Sequence, residues 1–214
     1  MTVCLARRNA DKLNKVLDSL SIHGLRVHGF SCDARKEEQV IALFQEIEAN
    51  IGPIEVVVFN VGANVPMGIL ETSADKFFKI WEMACMAGFL TGREAARVMT
   101  KRKRGSIMFT GATASVRGGA KFAAFASAKH ALRALAQSMA RELGPQNIHV
   151  AHVIIDAAVD TAWIRENHPR YQELAGQEGI VKPADLAKNY LMLHQQPRNA
   201  WTFELDIRPW AENW

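Results

Sequence analysis

Residues 109–142 read FTGATASVRGGAKFAAFASAKHALRALAQSMARE, and the order of residue types in this stretch decides the fold. Ser106-Ile-Met-Phe109 leads into it as a short apolar run, the composition of a strand covered on both faces. Gly111, Gly118 and Gly119 break the pattern and mark a loop. From Lys121 to Leu143 apolar and small residues recur at helical spacing, and Gly144-Pro145 stops the helix. One face of this helix is nearly all Ala and Ser, which lets another backbone or a ligand come close.

On either side of this unit, strands and helices alternate. Thr2 to Ala6, Leu25 to Ser31, Ile54 to Phe59, His149 to Ile155 and Phe203 to Ile207 read as short, mostly apolar strands. Asp11 to Leu20 is an amphipathic helix with Leu13, Val16, Leu17 and Leu20 on one face, and Lys36 to Asn50 is a second. Ser73 caps a long helix that runs to about Thr100, and Pro183 starts another that lasts to about His194. Asp156 to about Ile180 is irregular, with a short helix near Thr161 to Glu166. This order predicts a single domain over 1–214: an α/β, Rossmann-type doubly wound parallel sheet with helices on both faces.

Composition narrows the function classes. The chain has 214 residues, 49% of them hydrophobic and 22% charged, enough for a substantial core. Cys4, Cys32 and Cys85 have no paired spacing, so a reducing, cytoplasmic setting is expected and no metal site is. No apolar run approaches membrane-spanning length. The net charge of +4 is concentrated in Lys101-Arg-Lys-Arg104. One basic run at the end of a helix complements the helix dipole and stays solvated; it is not a nucleic-acid-binding face.

The loop and helix of residues 109–142 resemble the active-site segment of the short-chain dehydrogenases/reductases. That family carries a Ser in the loop and a Tyr-x-x-x-Lys pair on the helix. Lys129 fits the lysine, Phe125 stands where the tyrosine belongs, and the family's spacing puts Ala112 in the place of the serine. Met83-Ala-Cys-Met-Ala-Gly-Phe89 resembles the family's segment with a catalytic Asn, and Gly88 then aligns Cys85 with that Asn. Only Lys129 of the four usual catalytic positions is retained. A buried helical Cys is usually inert packing.

The resemblance implies a nicotinamide cofactor, NADP before NAD. Arg7 and Arg8 follow the first strand, where the family holds the 2′-phosphate; the plain alternative is a solvated strand end. Asp33 takes the place of an adenine contact or is a surface acid. Asn60 and Gly62 resemble the Asn-Ala-Gly turn, in which glycine admits close passage of the cofactor or a positive φ. Lys129 implies a ribose ligand. Thr161, in VDTAW, matches the threonine that contacts the nicotinamide carboxamide, and Asp156-Ala157 replaces the family's Pro-Gly. Thr113 and Ser115 lie near the lost serine, where they either orient a substrate carbonyl or bond their own loop.

A fold of this kind opens with a strand, a Gly-rich turn and a helix. The sequence has no G-x-G-x-x-G, and it starts at what reads as the second strand. The absent strand is central in the family's sheet, so two neighbours are expected to have unpaired edges; either the chain is a fragment or alternative start, or it folds in an altered way.

Two functions stay open. One is an NAD(P)-dependent oxidoreductase with an atypical site, acting on a small molecule as a relative of enoyl or carbonyl reductases. The other is an inactive, nucleotide-sensing or partner-binding member. The resemblance also implies a homodimer or homotetramer built on the helices at Ser73 to Thr100 and Lys121 to Leu143, and the Trp-rich run Trp201 to Trp214 suits burial against a neighbour.

Overall fold

The computed structural model describes residues 2–21, 24–62 and 64–212; Ala63 of the expected turn and Trp214 of the Trp-rich run lie outside them. The elements follow the expected order: β1 (Thr2–Arg7), α1 (Ala10–Ser21), β2 (Arg26–Ser31), α2 (Glu37–Asn50), β3 (Val56–Phe59), α3 (Ala74–Trp81), α4 (Ala87–Arg102), β4 (Gly105–Thr110), α5 (Ala123–Leu143) and β5 (Ile148–Ile155). The stretch expected to be irregular holds β6 (Ala158–Val159), α6 (Ala162–Asn167), α7 (Tyr171–Gly176) and β7 (Ile180–Val181). The chain ends with α8 (Pro183–Gln195) and β8 (Glu204–Ile207).

All strand pairs are parallel. The sheet is in two main pieces, β1-β2 and β3-β4-β5-β8, with β6-β7 as a small third. Among the described residues β1 and β3 therefore each pair on one side only. Val58 of β3 is 44% exposed, although its strand is wholly apolar.

The period-2 alternation of the strands feeds two helical layers. Ile107 and Phe109 of β4 join Ile148 and Val150 of β5 under α2, α4 and α5, through Val40, Phe44, Leu90, Met99, Leu132 and Ala136. Met108, Ala151 and Val153 point the other way, onto Leu193 and Tyr190 of α8. Gly29 lets α1 seat on β2: a Cβ there would lie 2.3 Å from Leu17 Cδ1.

Ser73 caps α3 as predicted, its side chain accepting from the Lys76 N–H at 3.2 Å. The helix runs on to Arg102, as expected, but it is not uniformly α-helical. A π-helical turn, Glu82–Met86, joins α3 to α4. A π-turn adds a residue to the helical repeat, so the stripes before and after it are rotated, which no fixed period in the sequence predicts. The basic run also departs from expectation: Arg102 pairs with Glu48 at 2.7 Å and donates to the Ile54 carbonyl, and Arg104 is bidentate on Glu55. Among the described residues no helix is long and apolar enough to cross a membrane.

Candidate active site

In open α/β sheets ligands bind in the crevice at the carboxyl ends of the strands. The residues singled out by sequence gather at those ends. Arg7 closes β1 and Arg8 follows it, both exposed; Asp33 follows β2; Asn60 and Gly62 follow β3; Thr113 and Ser115 form a short turn after β4; Asp156 follows β5.

Lys129 is the centre of this arrangement. It lies nearly two turns into α5, on its buried face, and is only 3% exposed. Its Nζ donates to the Thr110 carbonyl at 2.7 Å and to the Val61 carbonyl at 3.5 Å, so one ammonium ties the end of β4 to the turn after β3. An ammonium carries three donors, and these bonds use two. Burial lowers its pKa from 10.5 to about 8. Phe125, one turn earlier, puts its ring 5.9 Å from Nζ, within cation–π range. The ring is buried against Ile80, Ala114, Met67, Met83 and Ala112. It has no group to give or take a proton.

Ala112 is extended and its N–H donates to Ser115 Oγ at 3.1 Å, so Ser115 folds back on its own loop and is wholly buried. Thr113 behaves differently: its hydroxyl donates to Asp156 Oδ1. Cys85 sits in the π-turn, packed on Ala84, Ala128 and Trp81, and burial raises its thiol pKa.

The residues expected on the cofactor side have local surroundings of their own. Asp33 is bidentate with Arg35, at 2.9 and 2.6 Å, and that guanidinium holds its carboxyl at about 2; Arg35 reaches on to Glu82 at 3.5 Å. Gly62 has neither a positive φ nor a crowding neighbour, since a Cβ there would meet nothing within 4 Å. Protein packing therefore does not demand glycine at 62. Thr161 is the N-cap of α6, accepting from the Ile164 N–H at 3.3 Å.

Two clusters escaped the sequence reading. His152 is wholly buried beneath Gly111, its Nδ1 is 3.0 Å from Glu204 Oε2, and Glu204 is bidentate with Arg133 of α5. Burial pushes the imidazole pKa down, against the pull of Glu204. Asp156, 4% exposed, gathers Thr113 together with Arg208 at 3.4 Å and Arg117 at 3.6 Å. For Asp156 the signal was a charged residue directly after an apolar strand, where an ion stays buried only if partners come from elsewhere.

A family model for short chain dehydrogenases matches residues 1–171. The chain belongs to the short-chain dehydrogenase family. A crystal structure of a short-chain dehydrogenase from Rhodopseudomonas palustris is 50% identical, with a TM-score of 0.83 over 98% of this chain and 87% of that one. The 3-oxoacyl-acyl-carrier-protein reductase MabA of Mycobacterium tuberculosis is 29% identical over 163 residues, 74% of this chain and 66% of that protein. An alcohol dehydrogenase from Thermococcus sibiricus, complexed with 5-hydroxy-NADP, shares the fold at 22% identity, with a TM-score of 0.84 over 99% of this chain and 87% of that one.

Proposed function

We propose that this short-chain dehydrogenase is an oxidoreductase that binds a nicotinamide dinucleotide, NADP in preference to NAD, and acts on a small molecule at a site whose proton-handling tyrosine is replaced by Phe125. The observation that carries the reading is Lys129: a buried ammonium fastened to the ends of β3 and β4, where a dinucleotide ribose would lie, with a third proton to donate. Exposed Arg7 and Arg8 suit a 2′-phosphate, which guanidinium groups bind by charge-assisted, often bidentate contacts. Asp33, Asn60, Gly62 and Thr161 complete the cofactor side; the open space beside Gly62 supports that placement. The dinucleotide supplies or accepts the hydride. The chain's residues hold it and orient the substrate.

Phe125, Ala112 and Cys85 leave Lys129 without the groups that protonate a carbonyl oxygen. A conjugated C=C, in which a thioester or enolate carries the developing charge, suits such a site better. Titration of NADPH and NADH by nucleotide fluorescence tests the cofactor reading: Lys129→Met abolishes binding, and Arg7→Ala with Arg8→Ala removes the preference for NADPH. No nucleotide binding refutes it. The name of the mycobacterial relative makes a 3-oxoacyl thioester one turnover probe, with an enoyl thioester as the other. Tight binding with turnover of neither favours the sensing or partner-binding alternative.

The assembly is a homodimer or homotetramer, supported by apolar surface on α3 and α4: Phe77, Phe78 and Phe89 are 37%, 58% and 37% exposed, and Phe78 stacks on Trp81. Light scattering checks it; a monomer of 23.8 kDa would refute it.

A further inference from the structure

A hydroxyl has one proton and two lone pairs. At the Thr113 hydroxyl the proton is already committed. It is donated to Asp156 Oδ1, a carboxylate that is 4% exposed and flanked by Arg117 at Oδ1 and Arg208 at Oδ2. The backbone fixes the same geometry, because the Asp156 N–H donates to the Ile207 carbonyl at 2.9 Å and locks the residue against β8. The chain beyond β8 then crosses this corner. Arg208 binds both Asp206 and Asp156, Glu212 lies 3.7 Å from Arg117, and Trp210 Nε1 donates to the Gln177 carbonyl just past α7. Asp156 is thus held from the β4 loop and from the C-terminal segment together.

Thr113 is half-buried, whereas the other hydroxyl of its turn, Ser115, is wholly buried. Thr113 is therefore the hydroxyl that this loop offers to a substrate, and it offers lone pairs only. A ketone oxygen placed there would meet a lone pair; a hydroxyl or N–H would find an acceptor.

We propose that Thr113 and Asp156 form a donor-reading pair, which selects substrates bearing a hydroxyl or N–H group beside the reacting carbon. Asp156 acts through Thr113 and is a positioning residue that sets the polarity of the contact. The proposal rests on the dehydrogenase reading only in taking this corner as the substrate side of the crevice. It differs from both sequence alternatives, in which Thr113 orients a carbonyl or bonds its own loop.

The probes are a vicinal cyclohexanediol and its dimethyl ether, which keeps the ring and both oxygens and removes the donors. Their dissociation constants are measured by ligand-observed NMR on the full chain, with and without oxidised NADP. One hydrogen bond to a polarised hydroxyl predicts that the diol binds about fivefold to tenfold more tightly. Thr113→Ser keeps this preference and Thr113→Val removes it. Asp156→Asn removes the charge that polarises the Thr113 hydroxyl, and the preference falls. The Thr113→Ser and Thr113→Val pair decides the matter even if Asp156→Asn does not fold. Equal binding of the two probes, no binding of the diol, or a preference that survives Thr113→Val overturns the proposal. Failure of NADPH to bind strikes the dehydrogenase reading instead, and the titrations without cofactor still decide this one.

Discussion

Replacing Lys129 by Met should make the fold more stable at neutral pH and less stable in alkali. A fall in pKa from 10.5 to about 8 on burial corresponds to about 3 kcal/mol against the charged form in the native state. Met fills a similar volume without the charge. The change also strands the Thr110 and Val61 carbonyls, at about 1 kcal/mol each. The net gain below pH 8 is then about 1 kcal/mol. The folded pKa is the depressed one, so between about pH 8 and 10.5 the unfolded chain binds a proton that the native chain has released. Stability of the parent protein relative to Lys129→Met consequently rises with pH in that window, by about 1.4 kcal/mol per unit. The two curves cross near pH ~9. Urea unfolding of both proteins from neutral to alkaline pH measures the difference, and subtraction removes every other titrating group. Parallel curves, or a parent protein that is already the more stable at neutral pH, would refute the account of Lys129 as a charge buried at a cost.

Two further changes probe the ground beneath the site. Gly111→Ala would set a Cβ 2.5 Å from His152 Nε2 and 2.6 Å from its Cε1, on an imidazole that Glu204 and Arg133 hold in place. A loss of about 1–3 kcal/mol is expected, or about 2–4 °C in Tm for each kcal/mol. The loss should shrink when His152 is also changed to Ala, and an additive double-mutant cycle would contradict the clash. Phe125→Tyr alone should create no carbonyl reductase activity, because Ala112 leaves the substrate oxygen without a hydroxyl donor while the Thr113 proton is held by Asp156. Activity from the single change, followed by NADPH oxidation with a ketone, would show that a donor is present after all; the variant with Ala112→Ser as well is the comparison.

Local sequence determined the elements of this protein. The apolar runs at Val56–Phe59 and Ile148–Ile155, the Ser73 cap, and the Gly-rich loop ahead of the Ala/Ser-faced helix each depend on neighbours a few residues away, so spacing alone reveals them. For the same reason Lys129 was visible: its place on the helix and the loop before it lie within one continuous stretch. The family pattern further marked a free edge on the first and third strands, and among the described residues β1 and β3 each pair on one side only. Tertiary structure decided what each side chain touches. The Thr113–Asp156 bond joins residues 43 apart in sequence, and His152 meets Glu204 across a separation of 52. Both pairs exist because β4, β5 and β8 lie side by side, and strand order follows from how the helices cross over, not from any local period. The direction in which Thr113 spends its proton was likewise hidden, since a hydroxyl donates or accepts according to the partner that the fold places beside it.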